Sequence, residues 1–338
     1  MKLTVVIPCR NEVRYIRECV DAIFNSVLPA GLEMSVFAVD GLSNDGTAEL
    51  LEELQTVYPA LQKVENRLQL TPFAFNLGIH SGGCVDFVQI VGARHILSPD
   101  YIGKSLDILT SNSQIWCVGG QLINEYVNES GRIISLAMDT AFGMGIGNFR
   151  ILEKSGFTDT VTSPMYPWKV FEKIGFFDEQ LVRNQDDDFN FRVIQAGGKI
   201  WFEKEISLKY YVRADFKGLY KQFFQYGYWK VFVNRKHQTV TTMRQLVPPA
   251  FVLFLLLVPF TLLFPPLISG IAGLLLVFYG AMAIFFAVRQ SEKPGEILPI
   301  FVTFPILHVS YGLGYLLGIL SFLVFRKQPS EKQKRLSR

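Results

Sequence analysis

Three adjacent carboxylates, Asp186, Asp187 and Asp188, stand in the run Arg183-Asn184-Gln185-Asp186-Asp187-Asp188-Phe189-Asn190-Phe191-Arg192. An FDE turn at Phe177-Asp178-Glu179 precedes the run, and the glycine pair Gly197-Gly198 follows it. Like charges side by side repel, so such a run normally lies on a solvated face. A helix N-terminus is a natural place for it, because acidic residues there complement the macrodipole and cap free N–H groups. The same run can present one carboxylate as a general base at the mouth of a pocket. The two roles are compatible, since cap and base can be different members of the run.

These residues need elements to position them. Leu3 to Ile7 is a short, β-branched apolar run that suits a buried parallel strand, ended by Pro8. Asn11 is placed to cap a helix whose apolar side includes Ile16, Val20, Ile23 and Val27. Met34 to Val39 reads as a second strand ending at Asp40, and Ser43 or Asp45 can cap a helix from Thr47 to Tyr58. Leu61 to Glu65, Val85 to Val91 and Ile115 to Gly119 read as further strands, with helices from Pro72 to Ser81 and from Pro99 to Leu109 between them. Strands alternating with helices imply βαβ units, and so an α/β fold with a doubly wound, mostly parallel sheet. Ligands of such sheets bind beyond the carboxyl ends of the strands. Asp40, the segment Gly92-Ala93-Arg94-His95 and the 183–192 run all reach that edge.

The apolar content of the 338 residues is unevenly placed. No Asp, Glu, Lys or Arg lies between Gln245 and Val288, nor between Ile297 and Phe325. A bilayer span needs about 20 apolar residues. The expected organisation is a cytoplasmic domain at 1–214, an amphipathic interface helix and linker at 215–244, a membrane region at 245–326 and a basic tail at 327–338. The membrane region reads as spans at 246–264 and 267–288, with a third or broken span at 297–325. A cytoplasmic start and three spans put the tail outside, yet Arg326, Lys327, Lys332, Lys334, Arg335 and Arg338 are cytoplasmic markers. A re-entrant final segment or an interfacial first half would resolve the conflict. The net charge of +3 is too small to argue for nucleic acid. The basic residues gather near the membrane segments, where they fit anionic headgroups. Cys9, Cys19, Cys84 and Cys117 show no metal spacing and read as buried thiols in a reducing compartment. Phe142-Gly143-Met144-Gly145-Ile146-Gly147 reads as a mobile glycine-rich loop rather than a dinucleotide loop.

Several of these stretches resemble one family. Val5-Val6-Ile7-Pro8-Cys9-Arg10-Asn11-Glu12 is similar to an opening V-I-P-x-x-N-E strand and turn. Val39-Asp40-Gly41-Leu42-Ser43-Asn44-Asp45-Gly46-Thr47 is similar to V-D-D-G-S-x-D-G-T. Asn66 through Ala74, Asn76 and Gly78, and later Asp159 with Phe171 to Glu179, follow in the family's order. Over residues 3–240 the chain resembles a family-two glycosyltransferase of the GT-A fold. More closely it resembles the membrane-anchored succinoglycan-type bacterial sugar transferases of exopolysaccharide assembly.

The resemblance implies an inverting hexosyltransferase that moves a sugar from a nucleotide-sugar, UDP-linked, to a polyprenyl-diphosphate-linked saccharide. It implies a multi-pass protein of the cytoplasmic (inner) membrane, with its catalytic domain facing the cytoplasm. The nucleotide side falls to Pro8, Asn11, Glu12, Asp40, Ser43, Asp45 and Arg67, with Asp40 accepting the N–H of a uracil-like base. Aligned on Arg192 and Gly197, the family's E-D pair becomes Gln185-Asp186, which makes Asp186 the general base. Asp187, Gln185 and Arg192 fall on the acceptor side. Gln225, Tyr228 and Trp229 join them through a faint likeness to the Q-x-x-R-W stretch of processive synthases, in which Tyr228 replaces the Arg.

The chain departs from the pattern after the fourth strand. The family holds a divalent metal, Mg or Mn, on the donor diphosphate through D-x-D or D-x-H. Here that position reads Gly92-Ala93-Arg94-His95, which removes the main hard oxygen ligand. Arg94 can bind the diphosphate itself, bidentately, without a metal. Alternatively, His95 and the acidic cluster still hold one. Two other functions remain open at this level: a transferase acting on polyprenyl phosphate or a glycolipid, and an inactive membrane subunit that binds a nucleotide-sugar or a partner enzyme.

Overall fold

The structure, a computed structural model, describes residues 1–145, 150–213 and 215–329. Ile146 and Gly147 of the glycine-rich segment, and the tail residues Lys332, Lys334, Arg335 and Arg338, lie outside the described residues.

The elements follow in chain order. They are β1 (Lys2–Cys9), α1 (Ile16–Phe24), β2 (Glu33–Asp40), α2 (Thr47–Val57), β3 (Leu61–Glu65), α3 (Thr71–Gly82), β4 (Phe87–Ile90), β5 (His95–Leu97), α4 (Tyr101–Ser111) and β6 (Ile115–Glu125). Next come α5 (Glu129–Met138), α6 (Ala141–Met144), β7 (Gly156–Thr158), β8 (Thr162–Pro167), α7 (Trp168–Ile174), α8 (Gln185–Gln195) and β9 (Lys199–Tyr211). The chain then runs through α9 (Phe216–His237), α10 (Val247–Leu257), α11 (Pro266–Gln290) and α12 (Ile297–Gly318). They form two compact units, Met1–Ile123 with Leu152–Tyr211 and Asn124–Ile151 with Val212–Arg338.

The first unit is a mixed α/β sheet in the order β3-β2-β1-β4-β8-β6-β9-β5, with β7 beside β9. The β3-β2-β1-β4 half is parallel, in the register Val6↔Phe37 and Val6↔Ile90. Val5, Val6, Ile7, Val36, Ala38 and Val39 are fully buried, as expected for strands covered on both faces. The pairings β4–β8, β6–β8, β5–β9 and β7–β9 are antiparallel. Strands β5, β7, β8 and β9 escaped the sequence reading. β5 and β7 are three residues long and β8 carries two prolines, so these three have no clear alternating period, while β9 alternates over 13 residues. Helix α3 lies close on β1 because Gly78 has no side chain; a Cβ there would overlap Val6.

Three local expectations fail. Asn11 does not cap α1. It takes a left-handed backbone (φ 56°), and Tyr15 holds the N-cap position without a side-chain bond. Val27 lies beyond the end of α1 and is 67% exposed. Cys9, Cys19 and Cys117 are buried as expected, but Cys84, in the turn after α3, is exposed.

The second unit gathers the C-terminal helices with the 124–151 segment, which the sequence reading had kept in the first domain. Its α5 is held there by apolar packing: Ile133 and Ala137 cluster with Ala283, Ala287, Ile300 and Phe304. Arg132 pairs with Glu292 at 3.2 Å and with the buried Glu296. Helix α9 presses on α12 through small residues. A Cβ on Gly227 would overlap the Tyr311 carbonyl, and one on Gly314 would overlap that of Phe224. Small residues allow the same close backbone approach in membrane helix pairs. Three segments, Met243–Leu263, Pro266–Gln290 and Pro294–Val324, are helices long and apolar enough to cross a membrane.

Candidate active site

The parallel strands end in loops that lock to one another. The Asn11 N–H donates to Ser43 Oγ (2.8 Å), and Asn44 N–H donates to Asn11 Oδ1 (3.0 Å). Glu12 N–H donates to Thr47 Oγ1 (2.9 Å), and Val13 N–H to Asp45 Oδ2 (3.3 Å). Asp45 Oδ1 accepts from the N–H of Thr47 (3.0 Å) and from its hydroxyl (2.5 Å). Burial works to raise the Asp45 pKa, but the bonds from the Thr47 hydroxyl and from the Thr47 and Val13 N–H groups outweigh it. They hold the carboxyl below its ordinary range. Neither residue caps α2 as expected: Gly46 holds the N-cap position without a side-chain cap bond, while Asp45 binds Thr47 at the first helical position and Ser43 serves the loop.

Asp40 is buried at the end of β2. One carboxylate oxygen accepts from Ser43 N–H (3.1 Å) and the other from the Ser43 hydroxyl. A carboxylate offers about four acceptor positions, so these bonds leave capacity for another donor. Pro8 sits inside β1 opposite Val39. Arg67 is well exposed and pairs with Glu65 at 2.7 Å, in the loop that follows β3.

The β4 end carries the feature that sequence reasoning missed. Arg94 Nε donates to Glu12 Oε2 at 2.7 Å, with both side chains about four-fifths covered. The guanidinium lies 4.8 Å from the centre of the Tyr15 ring. Burial opposes its charge, and Glu12 more than offsets that, so Arg94 is held more firmly protonated than usual. Among the described residues only its Nε is engaged by a hydrogen bond, which leaves the two terminal nitrogens of the fork. The signal was available in the strand order. Val6 of β1 registers with Ile90 of β4, so residues a few positions past each strand end become neighbours. Ala93 beside it is buried. His95 Nδ1 lies 2.7 Å from Ser163 Oγ, and Ser163 has a left-handed backbone (φ 42°).

The acidic run opens α8, as both sequence readings required. Its N-cap is Asn184 in the left-handed region (φ 61°), without a side-chain cap bond. The three carboxylates have separate fates. Asp188 is fully buried and accepts from Arg192 Nε at 3.0 Å. Asp187 is half-buried. Asp186 is exposed, and its Oδ1 accepts from Asp187 N–H at 3.0 Å. The Asp186 charge reaches the buried Tyr166 phenol, whose pKa is raised chiefly by burial and also by Cys117 and Asp186. Tyr166 donates to Asn190 Oδ1 (3.2 Å) and Asn190 donates to Thr160 Oγ1 (3.1 Å), two residues before β8. The start of α8 is thereby tied to the strand that borders β4. Among the described residues the buried amide oxygen of Gln185 has no hydrogen-bond partner, which leaves an acceptor beside Asp186.

Two acceptor-side assignments need correction. Arg192 is spent inside the fold: Nη1 donates to Ile174 O (2.6 Å) and Nη2 to Phe176 O (2.8 Å), so it positions α8. Tyr228 and Trp229 belong to α9 in the second unit and are packed on Phe322, with Trp229 only 2% exposed. Burial rather than contact with a ligand explains these aromatics. Gln225 lies half-buried on the same helix. Asn76, from the third motif, donates to Phe177 O and Glu179 Oε1 (both 2.9 Å) and so fixes the turn before α8.

Among the described residues, no group of three His, Cys, Asp or Glu gathers to hold a metal ion. The donor chemistry after β4 does not fit one either. Among the described residues the carboxylate paired with Arg94 is that of Glu12, which it neutralises, His95 is tied to Ser163, and Mg²⁺ or Mn²⁺ needs several hard oxygen ligands.

A family model described as glycosyltransferase like family 2 matches residues 2–225, and the chain belongs to that family. It is 28% identical over 330 residues to the dolichyl N-acetyl-alpha-D-glucosaminyl phosphate 3-beta-D-2,3-diacetamido-2,3-dideoxy-beta-D-glucuronosyltransferase of Methanococcus voltae, across 94% of this chain and 97% of that protein. It is 26% identical to the succinoglycan biosynthesis protein ExoA of Rhizobium meliloti (strain 1021), across 73% and 74% of the two chains. The mannosyltransferase PcManGT of Pyrobaculum calidifontis, solved with GDP-Man and Mn²⁺, superposes with a TM-score of 0.57 at 14% identity, covering 94% of this chain and 86% of that one. That likeness shows the GT-A fold.

Proposed function

We propose that this chain transfers a sugar from a UDP-sugar to a polyprenyl-linked saccharide, with inversion, at the cytoplasmic face of the inner membrane. The observation that carries this reading is Arg94, braced by Glu12 and Tyr15 at the strand edge where the family places its metal. A polyprenyl-type, phosphate-linked acceptor is supported by the substrate named for the Methanococcus voltae relative and by the three apolar helices.

In this mechanism Asp186 takes the proton of the acceptor hydroxyl as that oxygen attacks the anomeric carbon. The new C–O bond forms on the face opposite the departing diphosphate, so configuration inverts. The electron pair of the broken C–O bond leaves with the nucleoside diphosphate, and the two terminal nitrogens of Arg94 receive its charge as a fork. Asp40 accepts the base N–H through its remaining lone pairs, and Asn11 and Glu12 lie where ribose hydroxyls would sit. Gln185 Oε1 accepts from the acceptor sugar. The test is transfer from a panel of labelled UDP-sugars into extracted membrane lipid, with and without EDTA. Transfer that survives EDTA is expected. Absence of transfer from every donor, beside measurable UDP binding, would favour the non-catalytic subunit instead.

A further inference from the structure

Helix α12 has the composition of a membrane span, but its neighbours are wrong for one. Helices α10 and α11 make an antiparallel hairpin around Pro265-Pro266, with Phe251 stacked on Tyr279 at 4.4 Å between ring centres. Over its first half α12 runs antiparallel to α11. Ile300 and Phe304 cluster with Ala287 and Ala283, and His308 Nδ1 then lies 2.9 Å from Tyr279 Oη. Over its second half it runs antiparallel to α10. His308 meets the edge of Phe251, and Gly312 meets the Pro248 carbonyl and Val252. Tyr315 Oη then accepts from Asn234, which also donates to Gln245 just before α10. One helix cannot lie antiparallel along the full length of two arms that are antiparallel to each other. As one unbroken helix it must instead cross the hairpin obliquely, from the Gln290 end of α11 to the Gln245 end of α10.

His308 marks the crossing point, against both Tyr279 and Phe251. Tyr279 stands eleven residues from the Gln290 end of α11, about 16 Å at 1.5 Å per residue, or roughly half of a 30 Å hydrocarbon core. The far part of the hairpin is bare: Leu262, Leu263 and Leu267 are 77%, 82% and 73% exposed. Only 11% and 17% of the first two apolar segments is buried, against 39% of the third. The chain after α12 returns to the base, where Arg235, at the end of α9, donates to the Lys327 carbonyl at 3.0 Å. Charge placement agrees independently. Arg235, Lys236, Arg244, Arg289, Lys293 and Lys327 all stand at that end, and the hairpin turn carries no charge.

We infer that this chain crosses the bilayer twice, through α10 and α11. Helix α12 is re-entrant, so Lys327 emerges on the same side as Ser291, and the turn at Phe264 emerges on the other. The inference stands whether or not the chain transfers sugar. It is tested by labelling with a membrane-impermeant maleimide in sealed cells and again after permeabilisation. Single cysteines are placed at Ser291→Cys and Lys327→Cys in a Cys84→Ser background, and a short polar epitope inserted after Phe264 is probed by antibody under the same two conditions. Positions 291 and 327 should respond alike, and the epitope oppositely. Lys327→Cys responding with the epitope rather than with Ser291→Cys would mean three spans. All three probes responding alike would mean that the hairpin does not cross. Either result overturns the inference.

Discussion

Replacing Arg94 with methionine keeps most of the stem and removes the fork. In the unliganded protein the loss falls on Glu12, whose carboxylate stands 2.7 Å from the guanidinium with side-chain exposures of 22% and 19%. Charge centres about 4 Å apart attract by roughly 4 kcal/mol at an effective dielectric near 20, before desolvation is subtracted. Truncating one partner should therefore cost about 1–3 kcal/mol of stability. Glu12→Gln in the same chain removes the stranded charge, so the double variant should recover much of that loss. Turnover should behave differently. A fixed donor aimed at charge developing on a leaving group is worth ~10²–10³ in kcat, or about 2.7–4 kcal/mol. Both Arg94→Met and the double variant should lose that factor. Arg94→Lys should regain only part of it, because an ammonium is a point charge without a fork. The assay is steady-state transfer of labelled sugar to lipid, alongside a denaturation series on the same preparations. Arg94→Met turning over within tenfold of the parent would refute the reasoning. So would a parent that loses transfer in EDTA and regains it with Mn²⁺.

The two outer carboxylates of the run should separate cleanly. Asp186→Asn should abolish transfer while leaving UDP binding and stability near the parent's, read by titration and melting. Asp188→Asn should cost about 3–5 kcal/mol, because it strips the buried Arg192 contact of its charge, read by the denaturation midpoint. Asp45 has its folded pKa depressed below the unfolded value near 3.9, so its contribution is present above that value and fades as pH falls through the folded one. The stability gap between the parent and Asp45→Asn should therefore be full at pH 6–7 and narrow below about pH 4, in melts across that range. Gly314→Leu would drive a side chain into the Phe224 carbonyl on α9. Its overpacking cost of at least about 1–3 kcal/mol should appear as lost yield of folded protein in detergent.

The parallel half of the sheet and its helices were legible because β1, β2 and β4 each hold a short apolar run closed by turn residues, a pattern set by the local chain. The antiparallel half was not. β5 and β7 are too short to show a period, and β9 alternates over a length that a helix could also occupy. That the 124–151 segment packs with the C-terminal helices was not legible for a similar reason. Its apolar face, Ile133 and Ala137, specifies that a partner exists but not which one. Likewise the aromatics of α9 were visible as aromatics, and only packing on Phe322 shows why they are there.

The acidic run shows where sequence reasoning stops at a site. Successive helical residues are about 100° apart, so Asp186 and Asp188 point roughly 200° apart on α8. One must face inward if the other faces out, and no property of three identical side chains says which. The decision is made by Arg192, four residues on from Asp188 and fixed to two carbonyls, which draws that carboxylate into the core. Asp186 is then exposed at the first turn, beside the buried amide oxygen of Gln185. The Arg94–Glu12 pair follows the same logic across the sheet. The residue types were readable, but their 82-residue separation closes only once β1 and β4 are neighbours. In both places a cation commits a carboxylate to the fold.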